Sequence, residues 1–260
     1  MIQKWPYLIV FIACVVSFTS TAKESEASPI IQIVTEHLPP FQISSENEVL
    51  GFATEIVKAA MKNTPYDFRI NLYPWTRSFT MALNKKNTCI YSIAKTLDRE
   101  QQFIWVSTIA ERNASFIGLR EKNIEISSIE DAKAYVTAVI RDDVTHQLLL
   151  KKGFKERENL YVVNNTHSLL KLLVQRKEID FILVDAFTIK YRARFNNIDE
   201  NIFKNFHQLN KKPLDYYLAC NVQTSPEVIK NIRLSIDTMK KTNQLKKIID
   251  NWDFPNIKVN

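Results

Sequence analysis

Hydrophobic positions in the first third of the chain alternate between a strand period and a helix period. Residues 30–36 ("IIQIVTE") form a short β-branched run that predicts a strand, and the prolines that follow end it. Residues 52–63 carry apolar side chains at helical spacing, and a strand over 66–74, a helix over 75–87 and a strand over 88–94 follow. This β-α-β-α-β order predicts a parallel sheet with crossover helices.

A second series of strands and helices follows. The pattern predicts strands over residues 114–122, 134–140, 159–164 and 179–185, and helices over residues 127–134, 144–154, 166–178 and 186–195. A late strand over 214–222 precedes two closing helices within 225–252, which Ser225 can cap with Pro226 in the first turn. Two α/β units of this kind predict two lobes, with a ligand cleft where strand ends and helix N-termini meet.

The N-terminal residues 1–22 have the pattern of a secretory signal peptide. Lys4 supplies the positive charge, an apolar run covers residues 7–18, and small residues precede Lys23. A lipid anchor on Cys14 is the alternative, but the preceding "FIA" fits a lipobox poorly and the apolar run continues past the cysteine. Polar residues follow at once, which disfavours a membrane anchor, and we expect export to the periplasm.

Composition narrows the function classes. The 260 residues are 45% hydrophobic and 24% charged, which is typical of a globular protein. The net charge of +7 is spread along the chain in lysine pairs, which indicates solvated helix faces and not a nucleic-acid patch. Three isolated glycines, Gly51, Gly118 and Gly153, exclude phosphate-cradling and dinucleotide-binding loops. Neither HExxH nor CxxC occurs, so we expect no metal and no cofactor.

Export leaves two cysteines, Cys89 and Cys220, in the mature chain. Both lie in apolar runs that read as strands, "TCIYSIA" and "YYLACNV". In an oxidising compartment they can form a disulfide, and equally they can remain two buried thiols. The sequence leaves both possibilities open.

Five motifs occur in an order that resembles one known family. They are "VTEHLPPFQ", "LGFATEIVKAAMK", "SIAKTLDREQQFIWVSTI", "KEIDFILVDAFTIKY" and "TNQLKKIIDNW". Together they resemble the bacterial periplasmic solute-binding protein family 3, of the polar amino-acid type, over nearly the whole mature chain. The resemblance implies a monomer with an α/β, type II two-lobed fold, in which each lobe is a mixed, mostly parallel sheet flanked by helices. Lobe 1 is then formed by residues 23–113 and 216–260, and lobe 2 by residues 114–215.

The resemblance also implies the main ligand contacts. Arg99 stands at the family position that binds the ligand α-carboxylate, and a guanidinium suits that role because it is a planar, permanently charged fork. Ser92 and Thr96 are the candidate neighbouring donors. Asp185 matches the aspartate that accepts the ligand ammonium. From the residues alone, Arg99 can instead form a surface salt bridge with a neighbouring acid, and Asp185 can be a helix N-cap.

The remaining candidate contacts are less regular. Trp75 lies where the family carries an apolar cleft residue, and it is either a stacking wall or a core side chain. The second lobe departs from the family in "IRDDVT", where Asp142 and Asp143 replace small residues. Two acids there repel a carboxylate unless they cap the next helix, and Arg141 is a candidate compensating cation.

Three functions follow from this resemblance. The leading hypothesis is a periplasmic receptor that closes around an amino acid or related zwitterion and delivers it to the membrane permease of an ABC transporter. An enzyme similar to cyclohexadienyl dehydratases is the second, for which Glu36 and His37 are the candidate general acids; Glu36 is also a candidate ligand contact. A ligand-sensing subunit for a membrane signalling protein is the third. His146, His167 and His207 are interpreted as surface histidines.

Overall fold

Two separate five-stranded sheets divide the chain into two lobes in the computed structural model, which describes residues 1–2, 29–164 and 167–252. The predicted signal peptide, with Cys14, therefore lies outside the described residues except for residues 1–2. No helix within the described ranges is long and apolar enough to cross a membrane.

The described residues form twelve strands and seven α-helices. The strands are β1 (Ile31–Thr35), β2 (Ile43–Ser44), β3 (Val49–Leu50), β4 (Phe68–Leu72), β5 (Thr88–Ala94), β6 (Phe103–Arg112), β7 (Ser115–Leu119), β8 (Thr137–Ile140), β9 (Leu160–Val163), β10 (Phe181–Val184), β11 (Phe203–Gln208) and β12 (Leu214–Asn221). The helices are α1 (Phe52–Lys62), α2 (Trp75–Asn84), α3 (Val144–Lys151), α4 (His167–Gln175), α5 (Ala186–Phe195), α6 (Pro226–Lys241) and α7 (Gln244–Trp252).

Lobe 1 is built on the sheet β4-β1-β5-β12-β6. Strands β4, β1 and β5 are parallel, β12 pairs antiparallel with β5, and β6 pairs antiparallel with β12. Every residue of β5 is buried, as expected for a strand covered on both faces. Helices α1 and α6 share one hydrophobic core with the sheet, and α2 packs on the other face. The carboxyl ends of β1 and β5 point toward lobe 2.

Lobe 2 is built on the sheet β11-β7-β10-β8-β9. Its β10, β8 and β9 are parallel, β7 pairs antiparallel with β10, and β11 pairs antiparallel with β7. Two cores cover its faces, one with α4 and α5 and the other with α3. The predicted α/β fold with two lobes and mixed sheets is confirmed. The chain crosses between the sheets after β6 and again between β11 and β12.

Several sequence predictions differ from the structure. The predicted helix over 127–134 is only a short 3-10 turn, Asp131–Ala134, because Asp131 folds back to accept from the backbone of Ser127 and Ser128. Strands β6 and β11 and the β2–β3 hairpin were not predicted, since their polar and apolar residues do not alternate regularly. Ser225 caps α6, as predicted, by accepting from the Glu227 N–H at 3.3 Å.

Cys89 and Cys220 form a disulfide in the centre of lobe 1. They are direct cross-strand partners on β5 and β12, with Cα atoms 3.9 Å apart, and both are fully buried. The bond joins residues 131 positions apart in sequence. It therefore ties the early part of lobe 1 to the strand by which the chain returns from lobe 2.

We predict that a chain beginning at Lys23 shows no reactive thiol when denatured without reductant, and two after reduction. The Cys89→Ala, Cys220→Ala double variant should lose stability, because a loop of 131 residues gives a chain-entropy effect of at most about 5 kcal/mol. Urea unfolding of both proteins, with and without reductant, measures this loss. Two reactive thiols in the unreduced wild type would contradict the bond.

Candidate functional site

The two lobes are in direct polar contact across the cleft. The Trp75 Nε1–H and the Arg99 Nη2–H of lobe 1 both donate to the backbone carbonyl of Asp142 in lobe 2, at 2.9 and 3.2 Å. From the other side, the Arg192 Nε–H of lobe 2 donates to the Pro39 carbonyl of lobe 1 at 3.1 Å. The structure therefore shows the lobes closed on each other.

Arg99 lies at the rim of this cleft, in a 3-10 turn directly after β5. Its guanidinium carbon is 5.2 Å from the ring centres of both Trp75 and Phe79, so the side chain packs against two neighbouring aromatic rings. Burial lowers the pKa of Arg99, but arginine stays charged. Arg99, Trp75 and Thr96 line one cavity of about 700 Å³.

Ser92 has a supporting position behind the cleft. Its backbone is left-handed (φ 57°) and the register against β12 shifts beside it, so a β-bulge turns its side chain out of the strand pattern. The hydroxyl donates to Gln42 Oε1 at 3.0 Å, and the Gln42 amide donates to Thr35 Oγ1 at 2.7 Å. This buried chain of hydrogen bonds fixes the loop that follows β1.

Asp185 caps helix α5 and is also paired with an arginine. Its carboxylate accepts from the Thr188 N–H and hydroxyl, both at 2.7 Å, and lies 3.7 Å from Arg112 Nε. It lines a different cavity from Arg99, one of about 810 Å³ that also includes Phe41 and Phe52. Arg99 and Asp185 thus face two cavities and do not share one.

Glu36 follows β1 and is enclosed between the lobes, although part of its side chain is still exposed. Burial, reinforced by the nearby negative charge of Asp143, raises its pKa from 4.5 to about 8, against the opposing effect of Arg112, Arg192 and Arg99. Among the described residues no basic side chain lies within 4.0 Å of its carboxylate. A carboxyl with this pKa is largely protonated at neutral pH, so it can donate as well as accept.

Arg112 and Arg192 complete the charged centre, and the sequence analysis identified neither. Arg112 ends β6, and it donates to the Tyr216 hydroxyl of lobe 1 at 2.8 Å and to the Leu183 carbonyl of lobe 2 at 2.6 Å. Strand β6 was not predicted, so nothing in the sequence indicated that Arg112 lies in the cleft.

Arg192 did carry a readable signal in the sequence. It lies on the buried face of α5 with Thr188, Ile189 and Ala193, whereas Arg194 is exposed. An arginine at helical spacing from buried residues indicates a cation that faces the interior. Burial lowers the pKa of Arg192 to about 10, and the positive charge of Arg112 adds to this effect.

The Asp143 carboxylate of lobe 2 caps a helix at the edge of the cleft. Asp143 is the N-cap of α3 and accepts from the His146 N–H at 2.7 Å and from the Thr145 hydroxyl. The partial positive charge at the N-terminus of α3 offsets the negative charge of Asp143 in this position. Arg141 is exposed, lies 3.7 Å from Glu156 and lines neither of the two cavities.

His146 is fully buried, so its interpretation as a surface histidine is wrong. Its Nδ1 accepts from the Asp142 N–H at 3.1 Å, and its Nε2 lies 3.2 Å from a Glu156 carboxylate oxygen. These contacts hold Asp142 in a left-handed conformation (φ 58°), which presents the carbonyl that Trp75 and Arg99 contact. His207 is half-buried, and the side chain of His167 lies outside the described residues.

Two lobes that enclose charged side chains between them define a solute-binding fold, and the comparisons agree. The profile of the bacterial extracellular solute-binding proteins, family 3, matches residues 30–256, and the chain belongs to this family. A search of curated protein sequences finds no match.

Solved structures of the same fold are numerous. A histidine kinase sensor domain with similarity to periplasmic binding proteins superposes with a TM-score of 0.76 at 17% identity, covering 86% of this chain and 96% of that one. An ancestral arginine-binding protein bound to arginine gives 0.73 at 18%, covering 86% and 97%. The ligand-binding core of GluR0 from Nostoc punctiforme, in complex with L-glutamate, gives 0.71 at 18%, covering 86% and 100%.

We predict that Glu36→Gln stabilises the protein at high pH and has no effect at low pH. Because the folded-state pKa of about 8 lies above the ordinary 4.5, the folded state binds the proton more tightly, and wild-type stability falls as pH rises between these values. Glutamine removes this fall. Urea unfolding from pH 4 to pH 9 measures it, with the exposed Glu46→Gln as control. A difference between Glu36→Gln and wild type that does not change with pH would contradict the assignment.

Proposed function

We propose that this protein is an exported receptor whose two lobes close on a small amino-acid-like solute. One observation carries the proposal: three buried arginines, Arg99, Arg112 and Arg192, and the acid Glu36 are gathered between the closed lobes, and both Nη atoms of Arg192 have no hydrogen-bond partner among the described residues. Burying a charged side chain costs free energy unless the charge is paired. In a solute-binding protein, unpaired charges in the cleft therefore favour a ligand of complementary charge.

Arg99 is the proposed anchor for the ligand carboxylate. Its backbone lies in the 3-10 turn, its guanidinium packs against two aromatic rings, and Thr96 lies in the same cavity. A preorganised guanidinium binds a carboxylate in bidentate fashion at little entropic cost. Trp75 stacks beside Arg99, which favours Trp75 as a wall of the ligand site over a purely structural role in the core.

Glu36, and not Asp185, is the proposed partner of the ligand ammonium. The Asp185 oxygens already accept two hydrogen bonds from Thr188 and lie beside Arg112. Among the described residues Glu36 has no such partner, and it lies on the same lobe as Arg99. When an ammonium binds beside it, the carboxyl loses its proton and forms an ion pair.

Closure follows from contacts that the ligand makes in the closed state. A solute that binds both lobes stabilises the closed form by its differential affinity for that form. The crossings at residues 113–114 and 209–213 are the proposed hinge to lobe 2, which the sequence predicts over residues 114–215. As a periplasmic monomer, the protein would present the closed form to an ABC-type permease. A signalling partner is the alternative, since a histidine kinase sensor domain shares the fold.

A dehydratase is the second candidate, and one observation favours it. Such an enzyme needs a protonated acid in the cleft, and Glu36, with a pKa of about 8, is one. Its neighbour His37 accepts from the Ser44 N–H at 2.9 Å through Nδ1. Turnover of prephenate or arogenate that is lost in Glu36→Gln would establish the enzyme, and absence of turnover with retained ligand binding would establish the receptor.

We predict that Arg99→Ala abolishes ligand binding without unfolding the protein. A panel of amino acids, polyamines and organic acids, followed by thermal shift, identifies a ligand, because binding to the native state raises the melting temperature. Arg77→Ala is the matched control, since Arg77 is exposed on α2 and stacks on Tyr73 outside the cleft. Equal ligand affinity in wild type and Arg99→Ala would contradict the proposed anchor.

A further inference from the structure

Arg192 is the least satisfied charged group in the described part of the chain. The residue is 5% exposed, and neither Nη1 nor Nη2 has a hydrogen-bond partner among the described residues. Only its Nε–H is used, in the bond to the Pro39 carbonyl across the cleft. That bond fixes the plane of the guanidinium and leaves the Nη1–Nη2 edge free to bind two acceptor atoms.

A small void lies beside Arg192 at the closed centre of the cleft. Arg192 lines a small void with Leu38, Arg112, Asp143 and Thr145, at the junction of both lobes. The void measures about 10 Å³, about the size of one water molecule. A larger group enters only if the lobes first move apart, which is the motion that the two-lobed fold allows.

The charges around this void favour an anion. Asp143 is used as the cap of α3, Asp185 is used as the cap of α5 and beside Arg112, and Glu36 is largely protonated. The positive charges of Arg112 and Arg192 are close enough to disfavour each other. An anionic group between the lobes would relieve this repulsion and satisfy the two free Arg192 donors.

We infer that the cleft takes a solute with two anionic groups, a dicarboxylic acid or an acidic amino acid, with one carboxylate on Arg99 of lobe 1 and the other on Arg192 of lobe 2. This rests on the proposed receptor function and names its ligand class. A dianion of this kind bridges the lobes by two charge-assisted, bidentate contacts, which explains why each lobe contributes a buried arginine. A cationic or amide side chain leaves the Arg192 edge unsatisfied.

The test compares acids with their amides on the mature chain with its disulfide intact. Calorimetry compares the binding of L-glutamate with that of L-glutamine, and the binding of L-aspartate with that of L-asparagine. Glutarate and L-arginine are titrated as two further ligands. We expect the acids to bind about 10-fold or more tightly than the amides, since a hydrogen bond to a buried charge contributes about 1.5–3 kcal/mol.

Arg192→Met is the informative variant, and Arg194→Met, two residues along the same helix and exposed, is its control. Arg192→Met should lose the preference for acids, and Arg194→Met should keep it. We expect no fall in the melting temperature of ligand-free Arg192→Met, because the change removes a buried charge with unsatisfied donors. If that variant does not fold, Arg192→Gln carries the same expectation.

Two results would overturn the inference and leave the receptor function standing. One is a wild type that binds neutral or basic amino acids as tightly as acids. The other is a preference for acids that persists in Arg192→Met. A wild type that binds no member of the wider panel of amino acids, polyamines and organic acids would overturn both proposals together.

Discussion

Burial of ionised side chains between two lobes is the constraint on which the cleft depends. Each buried guanidinium loses its hydration, and only good geometry with several acceptors offsets that loss. Arg112 meets this requirement within the protein, through Tyr216, Leu183 and Asp185. Arg192 does not, and Glu36 is enclosed as an acid that prefers to keep its proton. The cleft therefore contains Arg112, which is paired within the protein and joins the lobes, and also Arg192 and Glu36, for which a ligand is the proposed partner.

The position of Arg112 connects this electrostatics to the motion of the lobes. It is the last residue of β6, and the chain leaves lobe 1 for lobe 2 directly after it. Its guanidinium contacts a lobe 1 hydroxyl and a lobe 2 carbonyl together. If the lobes move apart about the chain crossing after Arg112, at least one of these two hydrogen bonds must change. Arg112 therefore responds to opening of the cleft and also contributes to its positive charge. Asp142, whose carbonyl accepts from Trp75 and Arg99, has a similar role at the opposite rim.

The sequence predicted the fold well because periodic burial dominates each lobe. Strands such as β5 and β10 are continuous apolar runs, and the motifs of the family fix their order. Arg99 was a candidate because it lies in one of those motifs, whereas Trp75, which lines the same cavity, lies outside them. The sequence did not predict that the Asp185 carboxylate would accept hydrogen bonds from Thr188 and pair with Arg112. Arg112 lies on a strand with an irregular hydrophobic pattern, and only the tertiary fold brings it close to Asp185.

The central claim is that the arginines of the closed cleft hold the carboxylate of a small solute. A crystal structure of the mature protein with the ligand found by screening tests it most directly. The account predicts carboxylate oxygens about 2.7–3.2 Å from the guanidinium nitrogens of Arg99, with lobe 2 in contact with the same molecule. A ligand bound with its carboxylate away from Arg99, or held by one lobe alone, would contradict it.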